Sequence, residues 1–257
     1  MKTSSLGFIG GGRVTKILLQ AFKNKNAQFS NIIVADTNKD VADNLKKSFH
    51  NIQIDNASVA ATQDIVFISL HPPVIMDTLE QVKNQFKSDS VVISLAPKIT
   101  IGKICYKLSQ VKNVARLIPN ATSIINEGYN PVCFSSGFAG IEKQNILGLL
   151  KLMGNTFDVP EEKLESYAIM SAMLPTYFWF QWKELTDIGV KIGLTEEESK
   201  NSIHKTILAS LNLMFKSDLT TTEVMNLIPV KPIGEHEAQI AEIYSSKLLS
   251  LFEKIKP

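Results

Sequence analysis

Apolar residues in the first part of the chain fall into short runs separated by amphipathic stretches. Leu6, Phe8 and Ile9 form the first run, Asn31–Ala35 carries the second and Ile52–Ile54 a short third. Ile65–Leu70, Val91–Leu95 and Asn113–Ile118 follow. Runs of this length with few polar interruptions predict strands buried on both faces. Between them Val14, Ile17, Leu18, Ala21 and Phe22 recur at helical spacing, Val41–Phe49 predicts a second helix, and Thr100 is placed to cap another. Pro131–Ser135 predicts a further strand and Ile141–Met153 a helix. This alternation predicts an α/β domain with a mainly parallel sheet and helices on both faces.

The pattern changes after Pro160, where strands stop. Thr176–Ile192 is a helical stretch rich in aromatics (Tyr177, Phe178, Trp179, Phe180, Trp182) that closes at Gly193. Thr195-Glu196-Glu197-Glu198 reads as a capping box, and the helix it opens carries Ile203, Ile207, Leu208, Leu211 and Phe215 along one stripe. Thr221–Leu227 and Glu237–Ile255 add two helical segments. A boundary is expected near Asp158-Val159-Pro160, giving residues 1–159 and an all-helical 160–257. The aromatic cluster is expected to be core or a subunit interface, and helices this apolar bury their surplus most simply in a homodimer or a higher homo-oligomer.

Composition narrows the partners. The 257 residues carry a net charge of +2 with 20% charged, too balanced for nucleic acid or a membrane surface as the main partner. Cys105 and Cys133 lie in apolar surroundings without metal-ligand spacing and read as buried free thiols of a reducing compartment. The first strand begins too close to the N-terminus for a signal peptide, and no apolar run approaches the roughly 20 residues of a membrane span. The expectation is a soluble, cytoplasmic protein.

Candidate chemistry concentrates at the first turn. Leu6–Ile9 breaks into Gly10-Gly11-Gly12, and a helix opens directly after. Strand, glycine turn and helix start together bind pyrophosphate, because unpaired N–H groups carry partial positive charge and glycine lets a phosphate approach them. Gly10-x-Gly12-x-x-Thr15 meets two of the three glycine positions of the Rossmann dinucleotide fingerprint. Asp36 ends the second strand, where a carboxylate accepts hydrogen bonds from the adenosine ribose. That acid favours NADH, whereas Thr37, Asn38 and Lys39 could hold the extra phosphate of NADPH, so both cofactors stay open. Ligands of such sheets bind at the carboxyl ends of strands, which brings in Ser69, Leu70 and His71; His71 reads as pocket lining rather than a general acid.

Four segments resemble the pyrroline-5-carboxylate reductase family: Gly7–Gly12, Leu70-His71-Pro72-Pro73, Arg116-Leu117-Ile118-Pro119-Asn120 with Glu127-Gly128, and Asp187–Leu194. The resemblance spans essentially the whole chain. It implies an N-terminal Rossmann domain and a C-terminal helical dimerisation domain whose helices interlock between subunits. It further implies that Gly10, Gly11, Gly12, Arg13 and Val14 hold the pyrophosphate, that Asp36, Thr37 and Asn38 hold the ribose with Asn56 nearby, and that Ser69, Leu70, His71 and Pro72 line the nicotinamide side. Asn120 and Thr176 are the implied catalytic residues, and Pro119, Ser171, Met173 and Tyr177 the implied substrate contacts.

The chain departs from the family in its carboxylate-binding segment. Ser171-Ala172-Met173-Leu174-Pro175-Thr176-Tyr177 stands where the family has Ser-Gly-Ser-Gly-Pro-Ala-Tyr. Ile228–His236 only partly matches a Thr-Ser-Pro-Gly-Gly-Thr-Thr segment, with Lys231 and His236 as replacement donors or plain loop residues. Leu95-Ala96-Pro97-Lys98 lacks a family glycine. The expected activity is NAD(P)H-dependent reduction of a cyclic imine carboxylate. Reduction of another small imine or oxo acid, and dinucleotide binding without catalysis, are the alternatives.

Overall fold

The computed structural model describes residues 3–257. Strands β1 (Leu6–Ile9), β2 (Ile32–Ala35), β3 (Gln53–Ile54), β4 (Ile65–Ile68), β5 (Val91–Ser94), β6 (Asn113–Leu117), β7 (Gly128–Phe134) and β8 (Gly154–Asp158) form one sheet. Its order is β3-β2-β1-β4-β5-β6-β7-β8. Strands β3 to β6 are parallel; β7 runs antiparallel to β6, and β8 parallel to β7. The first six follow the doubly wound order, which opens a crevice at the carboxyl ends of β1 and β4.

Helices α1 (Arg13–Asn24), α2 (Lys39–Ser48), α3 (Ala57–Ala61), α4 (Pro72–Val82), α5 (Ile101–Lys107) and α6 (Gly140–Leu150) cover the two faces. Successive strand residues point to opposite sides, so each strand feeds two apolar layers. Ile9, Val66, Ile68, Val92 and Val114 pack with Ile75, Leu79 and Ile104 on one side. Phe8, Val34, Phe67, Ile93 and Leu117 pack with Leu18 and Phe22 on the other. Phe8 and Phe67 stack with ring centroids 4.9 Å apart, and each fully buried ring contributes about 2–3 kcal/mol.

Two predicted helices are shorter than their sequence pattern. The Ile141–Met153 pattern yields α6 only to Leu150; Lys151–Met153 tightens into a 3₁₀ turn and the chain enters β8. Gly154-Asn155-Thr156-Phe157-Asp158 has little strand propensity and is held instead by full pairing to β7. After α7 (Leu164–Tyr167) the backbone widens to a π turn at Ala168–Ala172 and tightens to 3₁₀ at Leu174–Tyr177. The aromatic helix α8 therefore starts at Trp179, not Thr176.

The chain divides into two compact units. The first runs through Met173 and takes in Phe252–Pro257, and the second is Leu174–Leu251. The division falls beyond the Pro160 boundary expected from texture, because two acids of the intervening segment grip the sheet. Arg116 on β6 is fully buried; its Nη1 donates to Glu161 Oε1 at 2.8 Å, and its Nη2 pairs with Glu165.

The second unit holds most of α8 (Trp179–Lys191), α9 (Glu196–Lys216), α10 (Thr221–Asn226) and α11 (Glu237–Ile255). Thr195 with Glu198, and Thr220 with Glu223, form reciprocal capping boxes. Helices α8 and α9 meet closely at Gly189, where an added Cβ would lie 2.2 Å from Ser199 Oγ. That hydroxyl donates to the Thr186 carbonyl at 3.1 Å. Gly189 and Ser199 are the buried residues of this unit, whereas Phe180, Ile192, Leu208, Leu211, Phe215, Ile228 and Leu249 are exposed. Phe178 and Trp182 stack on one another, but Trp179 and Phe180 face solvent, so the aromatic cluster is not core in the single chain.

Candidate active site

The glycine turn is built as its sequence requires. Gly10 has φ +106, a left-handed conformation, and an added Cβ would sit 2.4 Å from the Ser69 carbonyl oxygen. Gly12 differs: it precedes α1 at φ −70, and a Cβ there would meet nothing within 4 Å. The protein itself does not need that position bare, so the space suits a ligand. No side chain caps α1 and its first turn holds no acid, so its N-terminal N–H groups face an anion site without competition. Thr15, at the fingerprint's third glycine position, is fully buried and donates its hydroxyl to the Gly10 carbonyl at 2.6 Å. It fastens the turn to the helix that follows.

Asp36 at the end of β2 closes the turn from the other side. Its Oδ2 accepts the Gly11 N–H at 2.7 Å and its Oδ1 accepts the Asn38 N–H at 2.8 Å. Thr37 is exposed, and Asn38 caps α2 by accepting from the N–H groups of Asp40 and Val41. Asn56 caps α3 through the Val59 N–H at 3.1 Å.

A cleft of about 1160 Å³ opens over the glycine turn and the start of α1; Asp36, Thr37, Asn38 and Asn56 are not among its lining residues. Gly11, Gly12, Arg13, Val14, Ser69, Leu70, His71 and Pro72 line it. Leu95, Ala96 and Pro97 after β5 also line it, together with Val41, Asn44, Leu45 and Ser48, spaced by three and four along α2, and Lys16 and Lys47. The sequence reading missed these; helical spacing on α2 is the signal that could have found them. The β5 loop is held from behind. Glu165 accepts the Lys98 N–H at 3.1 Å, and Glu161 accepts the Ile101 N–H at 2.7 Å. Both acids are those gripped by Arg116, so one buried cation fixes a wall of the cleft.

Residues 5–98 match the family model described as NADP oxidoreductase, coenzyme F420-dependent. The chain is 25% identical over 252 residues to the pyrroline-5-carboxylate reductase of Staphylococcus aureus, spanning 96% of this chain and 92% of that one. The structure matches that of a Plasmodium falciparum pyrroline carboxylate reductase with NADP bound at a TM-score of 0.76. Identity there is 22%, over 99% of this chain and 95% of the other. A Streptococcus pyogenes 1-pyrroline-5-carboxylate reductase structure matches at 0.74 with 18% identity, over 98% and 96%. Along nearly its whole length the chain is similar to pyrroline-5-carboxylate reductases.

The motifs that carry the resemblance now acquire physical reasons. Arg116 is the buried clamp just described. Pro119 is half-buried, and Asn120 beside it is buried with every polar group engaged. Its Nδ2 donates to the Ser171 carbonyl at 2.9 Å and to Ser171 Oγ at 3.2 Å. Its Oδ1 accepts from the Thr122 N–H and hydroxyl, and its own N–H donates to Asn130 Oδ1. The amide is thus bonded within the chain at both ends. Asn120 ties the end of β6 to the π turn that carries Ser171.

Ser171 is equally committed, its hydroxyl donating to the Tyr129 carbonyl at 2.8 Å. Met173, half-buried, closes the first unit. Thr176, exposed, and Tyr177, half-buried, belong to the second unit. Burial, and then the neighbouring Tyr244, push the Tyr177 phenol up from its ordinary value. Lys98, in the segment that lacks a family glycine, holds φ +72. Lys231 and His236 are exposed.

Proposed function

We propose that this chain is an NAD(P)H-dependent reductase of a carbon–nitrogen double bond, acting on 1-pyrroline-5-carboxylate to give proline. The observation that carries the reading is the open position at Gly12 above the uncapped start of α1, at the head of the cleft. Gly11, Gly12, Arg13 and Val14 would seat the pyrophosphate, with Asp36 at the ribose and Ser69–Pro72 with Leu95–Pro97 walling the nicotinamide. The bound cofactor supplies the hydride. The protein's task is then orientation: a cyclic iminium needs no acid beyond its own proton, which agrees with the absence of any acid–base dyad among the cleft-lining residues. Asn120 and Ser171 hold the β6 end and the π turn in one arrangement, and Ser171–Tyr177 is the segment assigned to the substrate carboxylate.

Met173 and Leu174 favour a second reading on the same chemistry, a bulkier or less anionic imine or an oxo acid. Side chains there crowd the N–H groups that would otherwise approach a carboxylate closely. The exposed apolar faces of α8, α9 and α11 support a homodimer or higher homo-oligomer. Among the described residues no helix is long and apolar enough to cross a membrane.

The test is oxidation of reduced nicotinamide with pyrroline-5-carboxylate beside a panel of small imines and oxo acids. Turnover of pyrroline-5-carboxylate supports the first reading, and turnover of another compound alone selects the second. No turnover with intact dinucleotide affinity reduces the protein to a binder. Gly12→Val should retain the fold while losing dinucleotide affinity.

A further inference from the structure

The end of β2 decides between the two nicotinamide cofactors. Asp36 lies against the glycine turn, because its Oδ2 is 2.7 Å from the Gly11 nitrogen. A dinucleotide whose pyrophosphate rests at Gly12 must pass its adenosine ribose beside this carboxylate. Each carboxylate oxygen receives one backbone N–H, and each keeps lone-pair capacity for a ribose hydroxyl. A 2′-phosphate offers only acceptors and negative charge, so it needs donors at the same place. The backbone donor nearest the carboxylate is taken. The Asn38 N–H already binds Asp36 Oδ1, and the Asn38 side-chain oxygen is turned into α2 to receive Asp40 and Val41. Asp40 adds a second acid in the first turn of α2. Lys39 is the cation at this turn, exposed on the first residue of the helix. Arg13 follows Gly12 directly and belongs with the pyrophosphate.

We propose that Asp36, locked by Gly11 and Asn38, makes this protein selective for NADH and rejects the 2′-phosphate of NADPH. The inference rests on the dinucleotide reading of the cleft. It goes beyond that reading because the comparison structure described above holds NADP.

Equilibrium binding of NADH and of NADPH to the full chain, followed by nicotinamide fluorescence without substrate, tests it. NADH is expected to bind at least about tenfold tighter, about 1.4 kcal/mol, with the ratio shrinking as salt rises. Asp36→Asn should cut the ratio at least about fivefold, mainly by tightening NADPH. Asp36→Ser serves if the Asn variant misfolds, and the wild-type ratio decides without either. Equal or tighter NADPH binding overturns the inference and leaves the dinucleotide reading standing. A ratio unmoved in a folded Asp36 variant overturns it as well, as does a Lys39→Ala variant that selectively loses NADPH. If neither cofactor binds, the dinucleotide reading fails and the inference with it.

Discussion

Replacing Arg116 by methionine tests whether a buried cation holds the cleft wall. Arg116 has no solvent exposure, and Glu165 beneath it is nearly as deep. Removing the guanidinium leaves the Glu165 carboxylate with the Lys98 N–H as its remaining donor, while Glu161, about one-third exposed, can turn to water. Breaking a buried pair from one side costs about 3–5 kcal/mol, chiefly through the stranded charge. For a unit of this size that is a fall of about 10 °C in Tm. Arg116→Met combined with Glu165→Gln should recover about 2 kcal/mol, because the amide still accepts the Lys98 N–H and strands no charge. Urea unfolding followed by far-UV circular dichroism is the assay; both tryptophans, Trp179 and Trp182, lie in the second unit and would report on the wrong part. In the folded single variant, dinucleotide affinity should fall too, since Ala96 and Pro97 lose their support. A loss below about 1 kcal/mol, or a double variant no better than the single, would refute the reasoning.

Other perturbations follow from the same geometry. Lys98 holds φ +72, so Lys98→Gly should raise stability by about 1 kcal/mol and Lys98→Val should lower it similarly, read as Tm. Burial pushes Asp64 up, but the Ser5 N–H and the Lys87 ammonium outweigh it and hold the carboxyl at about 2 rather than 3.8. Its stabilisation is therefore complete above the unfolded value of 3.8 and is lost as pH falls through the folded one. With the side chain 38% exposed this is worth about 1 kcal/mol, so Asp64→Asn should be weaker than wild type at neutral pH and should converge with it near the folded value. Burial, and then the charge of Glu161, push the Cys133 thiol up to about 12. A thiol reagent at mildly alkaline pH should leave Cys133 unmodified in the native protein and label it in denaturant; native labelling of Cys133 would show that this thiol is not sealed.

The Rossmann half was legible because its signals are local. Leu6–Ile9, Ile65–Ile68 and Val91–Ser94 are short apolar runs, and Gly10 and Gly12 break the chain where a phosphate would sit. What escaped was non-local. Nothing in Gly154–Asp158 says strand until β7 is there to pair with it, and the π turn at Ala168–Ala172 has no periodic signature. Arg116 was visible only as a motif letter, since its partners lie 45 and 49 residues away. Asp36 was placed at the ribose, but its bonds to Gly11 and Asn38 depend on how the turn folds back. Asn120 was placed where nicotinamide meets substrate, but its bonds to Ser171 and Thr122 depend on the fold.

The second unit has a thermodynamic consequence of its own. Helices α8 to α11 bury little besides Gly189 and Ser199 within one chain, too small an apolar core to offset the conformational entropy of ordering them. In a self-associated protein, part of their stability would come from the facing copy. For self-association, mass action then enters the folding equilibrium, and the melting temperature of this half rises with protein concentration. Dilution would loosen the helices while the Arg116-clamped sheet stays folded, separating one melting transition into two.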